Sequence, residues 1–108
     1  MIFSEENVTE LSNIMDALGD ILIQTGFGNY VDHLSQIRLA AKRHDDENFY
    51  NYVVNRGSFG GSGAIWEIWI ENKDQRKEFE KRLCYFIDHL KKMGINNARI
   101  DQVRDSFH

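Results

Sequence analysis

Apolar residues recur every three to four positions along most of this chain, which is the spacing of one face of an α-helix. The clearest stripe spans residues 8–22 and predicts a first helix that begins after Ser4 and ends at Gly26. Its members are Val8, Leu11, Ile14, Met15, Leu18, Ile21 and Leu22. The opposite face is polar and carries Asp16 and Asp20, one turn apart.

Two shorter helical stripes follow before residue 55. Asn29 is expected to cap the second helix, and Asp45 or Asp46 to cap the third. The buried stripe of the second helix is predicted to be Tyr30, Leu34, Ile37 and Ala41. The inward residues of the third are predicted to be Phe49, Tyr50, Tyr52 and Val53. The turn between the first two helices is short, which favours antiparallel packing.

The last third of the chain predicts the longest helix. It begins at the capping residue Asn72 and closes at Gly94, and a short terminal helix capped by Asn96 or Asn97 follows. The apolar stripe of the long helix is Phe79, Leu83, Phe86, Ile87, Leu90 and Met93. Two pairs of opposite charge stand four residues apart on its outer face, Glu78 with Arg82 and Asp88 with Lys92.

A glycine-rich run lies between the third helix and the long one. It contains Gly57, Gly60, Gly61 and Gly63, and a structural turn with positive φ or close backbone contact is expected there.

The run Ile65–Ile70 that follows has apolar residues on both faces, so a half-exposed strand is disfavoured. A short buried helix capped by Ser62 is the preferred interpretation, and a strand is the alternative. Trp66 and Trp69 are three apart, and at least one is expected to pack into the core.

These elements predict an all-α fold in which residues 1–108 form one domain. The expected architecture is a single compact bundle of four to five helices, with the glycine-rich turn before a short buried segment. Neither a linker nor an internal repeat interrupts the pattern.

Charge is distributed unevenly along the chain. The net charge is −4, made of −6 in residues 1–55 and +2 in residues 56–108. An acidic N-terminal half disfavours nucleic-acid binding and favours a basic partner.

Cys84 is the single cysteine, so an internal disulfide is excluded. The sequence has neither a secretory signal nor an apolar run of about 20 residues, so a cytoplasmic protein without membrane contact is expected.

The glycine-rich run invites comparison with phosphate-binding loops. A P-loop needs Lys and Ser or Thr after its last glycine, where this chain has Ala64 and Ile65. The dinucleotide fingerprint needs glycine where Trp66 stands. The four histidines show no metal-ligand spacing, and the acidic residues after His44 indicate a solvent-exposed helix start. No cofactor or metal is therefore predicted.

The segment from Phe59 to Glu67 resembles the Gly-Gly-Met-Gly-Ser-Leu-Asn-Asp segment of a family of small bacterial domains of unknown function. Those domains are also helical and carry the motif after two or three helices and before a long last one. Ser62 stands in place of the family's Met and Ala64 in place of its Ser. The resemblance implies a helical fold and no particular activity.

Two functions from different classes follow from this pattern. The first is a small acidic protein-binding module, of the immunity or antitoxin type that inhibits a bacterial toxin and faces a basic toxin domain. The residues expected to contact the partner are Asp45, Asp46, Glu47, Asp16, Asp20, Trp66 and Trp69. The alternative is an enzyme or a phosphate- or nucleotide-binding domain that uses the glycine-rich turn with Glu67 and His44 or His89.

Overall fold

A computed structural model describes residues 2–55 and 64–107 of the chain. Within these two ranges the secondary structure is helical and contains no strand, which confirms the predicted all-α bundle of four to five helices. The α-helices are α1 (Glu5–Gln24), α2 (Val31–Lys42), α3 (Asp46–Tyr50), α4 (Lys73–Met93) and α5 (Ala98–Ser106). Gly57, Gly60, Gly61, Gly63 and Ser62 lie outside the described residues, so the predicted glycine-rich turn stays a prediction.

The long helices α1 and α4 form the centre of the fold. Helix α1 packs mainly against α4 on one side and α2 on the other, while α3 packs on α2 and α5 on α4. The predicted stripe of α4 is buried in full, and Leu18 and Leu22 of α1 are also inaccessible to solvent. Each such leucine contributes roughly 1.5–3 kcal/mol of burial free energy. The Nη1 group of Arg82 adds a hydrogen bond of 2.6 Å from α4 to the backbone oxygen of Ala17.

The predicted ends of α1 are both present. The Ser4 hydroxyl accepts a hydrogen bond from the backbone N–H of Asn7. At the other end Gly26 has a φ of +89°, a backbone conformation that glycine tolerates best. The N–H of Phe27 donates to the oxygen of Leu22 over 2.8 Å, so the helix closes with a Schellman motif.

The start of α2 differs from the prediction. A single 3₁₀ turn, Gly28–Tyr30, precedes the helix, and exposed Asn29 lies inside this turn instead of capping α2. The backbone N–H groups of Tyr30 and Val31 donate to the oxygens of Phe27 and Gly28, so 3₁₀ bonds satisfy these donors without a side-chain cap. Tyr30 is half-buried, whereas Leu34 is buried as predicted.

Helix α2 ends with an unusual cap residue. His44 has a φ of +54°, at a position where helices usually place glycine or asparagine. Its ring stacks on Phe3, with 5.6 Å between ring centroids and 16° between the planes. Phe3 in turn meets the edge of buried Phe49. This stacking supplies a contact that offsets part of the backbone strain at His44.

Helix α3 begins as predicted and continues differently. The Asp45 carboxylate accepts from the N–H of Asn48, and Phe49 is buried. A π-helical turn, Asn51–Asn55, follows directly and changes the direction of the side chains. Val53 is buried as predicted, but the prediction that Tyr50 faces inward is wrong, because its side chain is 38% exposed.

The segment before α4 is neither of the two structures considered for it. Ile65–Glu67 forms one 3₁₀ turn, and the backbone is extended at Ile68. Its buried residues include Ile65 and Ile70, and Trp66 packs half-buried against the core. The prediction of a short buried helix over the whole run is therefore wrong, because only one turn of it is helical.

The C-terminal elements follow the sequence closely except in one ion pair, and the predicted pair of Glu78 with Arg82 is present at 2.8 Å. Asn72 and Asn97 cap α4 and α5 with their side-chain oxygens, and Gly94 closes α4 with a φ of +111°. The predicted pair of Asp88 with Lys92 is absent, since each binds a residue of another helix. Asp88 accepts from Arg104 of α5, and the Lys92 ammonium lies 3.3 Å from Glu10 of α1.

Among the described residues, no helix has the length and apolar character that crossing a membrane requires.

Candidate functional site

Trp69 is the large apolar side chain that the fold leaves most exposed among the described residues, with 66% of its surface accessible. The guanidinium of Arg76 lies over its ring at 4.3 Å from the centroid, which is a close cation–π contact. Arg76 is itself fixed, because its Nη1 donates to the backbone oxygen of Ile70 over 2.9 Å and to that of Glu71 over 3.3 Å. One face of the exposed tryptophan ring is thus covered by an arginine that two backbone oxygens position.

An open groove of about 480 Å³ lies beside this ring. Its lining is Thr25, Phe27, Trp69, Ile70, Glu71, Asn72 and Gln75. We call this groove and Arg76 the Trp69 surface. It joins the C-terminal end of α1 to the residues that lead into α4. None of the five predicted carboxylates is among the residues that line it, so the structure places the anchor and the charges on different elements.

The carboxylates at the start of α3 have two different roles. Asp45 is half-buried, and its two oxygens accept from the backbone N–H and the side-chain amide of Asn48, so it acts as a helix cap. Asp46 and Glu47 occupy the exposed first turn of α3. Asp46 and Glu47 are therefore the members of this run that are available to a partner.

Asp16 and Asp20 both lie beside a shallow groove between α1 and α2. Asp16 forms an ion pair with Arg38 of α2, and the same guanidinium donates to the backbone oxygen of Ser12. Asp20 is exposed, as is Ile23, whose side chain is 60% accessible at the rim of the groove. Asp16 thus supports the contact between the helices, and Asp20 is the freer charge of the two.

A third acidic surface was missed by the sequence analysis. Glu5, Glu6 and Glu10 line one side of an open depression along the first two turns of α1. Glu5 and Glu6 also stand in the first turn of α1, where carboxylates stabilise the positive end of the helix dipole. Glu6 and Glu10 are four residues apart, and this spacing is the signal that places these two on one face of a helix.

A pocket of about 380 Å³ continues from Glu10 to the surface between α1 and α4. We call it the His89 pocket, and it is lined by Glu10, Ile14, Tyr85, Asp88, His89 and Lys92. The His89 ring is only 4% exposed, and its Nε2 lies 2.8 Å from the backbone oxygen of Asn7. A carbonyl oxygen can only accept, so Nε2 carries the proton and donates.

The second ring nitrogen of His89 faces a carboxylate. Nδ1 is buried and has no hydrogen-bond partner among the described residues. It lies 3.8 Å from Oε2 of Glu10, and that same oxygen lies 3.3 Å from the ammonium of Lys92. In the neutral ring Nδ1 is an acceptor, so the pocket contains an unsatisfied lone pair beside a negative charge.

The two histidines of the ligand-binding alternative lie on different elements of the fold. His44 stacks on Phe3 at the end of α2, whereas His89 is enclosed between α4 and α1. Cys84 is half-buried, and burial raises the pKa of its thiol, which disfavours the reactive thiolate. In the two described ranges, no three His, Cys, Asp or Glu side chains converge as metal ligands do.

Comparison with known proteins adds no relative to this description. No family model matches the chain, and neither a curated protein nor a solved structure matches it. The resemblance of residues 59–67 to the small bacterial family therefore stays a prediction.

Proposed function

We propose that this chain is a small acidic protein-binding module that inhibits a basic protein, of the type that bacteria make as immunity proteins or antitoxins. The observation that carries the proposal is the Trp69 surface. Trp69 is exposed beside an open groove, with the guanidinium of Arg76 over one face of its ring. Tryptophan and arginine are among the residue types most enriched in interface hot spots.

Charge supports a basic partner in particular. Residues 1–55 carry a net charge of −6, and exposed carboxylates lie on α1 and α3. Complementary fields accelerate encounter, while the apolar anchor determines how long the complex lasts. The groups proposed for encounter are Asp20, Asp46 and Glu47, and the anchor is Trp69. An inhibitor acts by covering the partner's active surface, so it needs no catalytic residues of its own.

The test uses the protein encoded beside this reading frame, provided that it is basic, as the candidate toxin. Association and dissociation rates are measured by surface plasmon resonance for the wild type and for Trp69→Ala. We expect Trp69→Ala to weaken binding by about 30-fold or more, mainly through faster dissociation. Tyr50→Ala is the matched control, because Tyr50 is also an exposed aromatic residue but lies on α3.

A second variant separates steering from anchoring. The double change Asp46→Lys and Glu47→Lys should slow association at low salt and reduce its salt dependence, with a smaller effect on dissociation. Asp45 and Asp16 are left unchanged, because one caps α3 and the other pairs with Arg38. The proposal is wrong if the neighbouring protein does not bind, or if Trp69→Ala binds as tightly as the wild type.

A further inference from the structure

The His89 pocket has a buried hydrogen-bond acceptor in its wall. Nε2–H of His89 is committed to Asn7, which leaves Nδ1 as a buried acceptor without a partner among the described residues. A buried polar atom without a partner costs free energy, so a group that supplies a donor there gains a contact that the free protein lacks. The occupant that fits Nδ1 is therefore a hydrogen-bond donor.

The charges beside Nδ1 favour a cationic donor. Glu10 lines the pocket, and Glu5 and Glu6 share with it the depression that continues from there, whereas the Asp88 carboxylate of the pocket is already paired with Arg104. An anion would face these carboxylates at short range, which is unfavourable. The Lys92 ammonium already lies 3.3 Å from the Glu10 oxygen that faces Nδ1. The Glu10 carboxylate thus already pairs with an ammonium group at the edge of the pocket.

The remaining walls suit a short aliphatic chain. Ile14 is half-buried, and Tyr85 is 53% exposed at the mouth of the pocket. A tyrosine ring stabilises both a methylene stem and a nearby cation. Lys92 is long and 55% exposed, so its side chain can move into solvent without disturbing the core.

We propose that the His89 pocket binds a primary ammonium group on an aliphatic stem, such as a lysine side chain of another protein or a free alkylamine. One N–H of the ligand donates to Nδ1 of His89 and a second binds Oε2 of Glu10, while the Lys92 ammonium moves aside. Ile14 and Tyr85 contact the stem. This site does not depend on the Trp69 surface, so it goes beyond the function proposed above.

The test is an NMR titration of the ¹⁵N-labelled full chain at about pH 8, where an ordinary histidine is neutral. The probes are butylammonium and a lysine blocked at both its amino and carboxyl ends, and the controls of similar size are butanol and butyrate. We expect saturable binding of both ammonium probes in the millimolar range, with the largest ¹⁵N change at Nδ1 of His89. The blocked lysine mimics a lysine side chain of a protein. If butylammonium saturates the site and the blocked lysine does not, the ligand is a small amine.

Variants of exposed residues keep the test independent of folding. Glu10→Gln should weaken butylammonium binding by about tenfold, whereas the matched control Glu6→Gln should change it less, because Glu6 is outside the pocket. Lys92→Met should tighten binding, since it removes the competing ammonium. The inference is overturned if butyrate binds instead, if neither ammonium probe shifts Nδ1, or if Lys92→Met weakens binding.

Discussion

His89 of α4 donates a hydrogen bond of 2.8 Å to the backbone oxygen of Asn7 on α1, across 82 positions of sequence. Asn7 is also the centre of the N-terminal contacts. Its backbone N–H donates to Ser4, and its side-chain amide donates to the backbone oxygen of Ile2 over 3.1 Å. The N–H of Ile2 then donates to the oxygen of Met93 over 2.8 Å, which returns the chain to the end of α4. One buried ring thus takes part in the contacts that join the start of α1 to the end of α4.

These contacts predict that His89→Ala strongly destabilises the protein. The change removes a buried ring together with its hydrogen bond, and we expect a loss of roughly 2–4 kcal/mol in the free energy of unfolding. Tyr85→Ala, one turn earlier on α4 and mostly exposed, should change it by no more than about 0.5 kcal/mol. Urea unfolding of both variants gives the comparison. Equal losses would show that the His89–Asn7 contact contributes little.

The sequence was sufficient where local rules decide the structure. Apolar residues of α4 repeat at helical spacing over about four turns, and every member of the predicted stripe is buried. The caps at Asn72, Asp45 and Asn97 were also predictable, because a capping side chain acts on the backbone within a few residues of itself.

The sequence was insufficient where tertiary contacts compete with local ones. Asp88 and Lys92 have the spacing of a helical ion pair, but each finds a partner on another helix. Trp69 is exposed although it is among the largest apolar residues, because the chain is extended at Ile68 after the 3₁₀ turn and buries Ile70 instead. The His89 pocket combines residues from α1 and α4, and nothing in the spacing of one helix reveals which residues of another will meet it.

Replacing either of two glycines by alanine, one inside α1 and one just after its C-terminal end, should change the free energy of unfolding in opposite directions. Gly19 lies inside the helix, and an added Cβ would meet the nearest Val31 carbon at 3.8 Å, an ordinary contact distance. Gly19→Ala should therefore raise the free energy of unfolding by about 0.5–1 kcal/mol, through the better helix propensity of alanine. Gly26 has a φ of +89°, so Gly26→Ala should lower it by about 1 kcal/mol or more. Thermal unfolding of the two variants distinguishes the effects, and a destabilised Gly19→Ala would mean that α1 and α2 pack too tightly for a methyl group.

The last prediction concerns pH and His33 of α2. Burial lowers the pKa of His33, and a hydrogen bond with the Tyr52 backbone opposes this only in part. The Tyr52 ring meets the imidazole edge-on, with 6.1 Å between centroids. The folded protein therefore binds the proton less tightly than the unfolded chain does.

The sign of the effect follows from this difference. Above its ordinary pKa His33 is neutral in both states and its contribution to stability is complete. As the pH falls from that value through the lowered folded pKa, the unfolded chain takes up the proton first and stability is lost. We expect the free energy of unfolding of the wild type to fall more steeply toward acid than that of His33→Gln, between about pH 8 and pH 5. The other titrating groups occur in both proteins and cancel in the difference, so parallel curves would mean that the surroundings of His33 leave its affinity for the proton unchanged on folding.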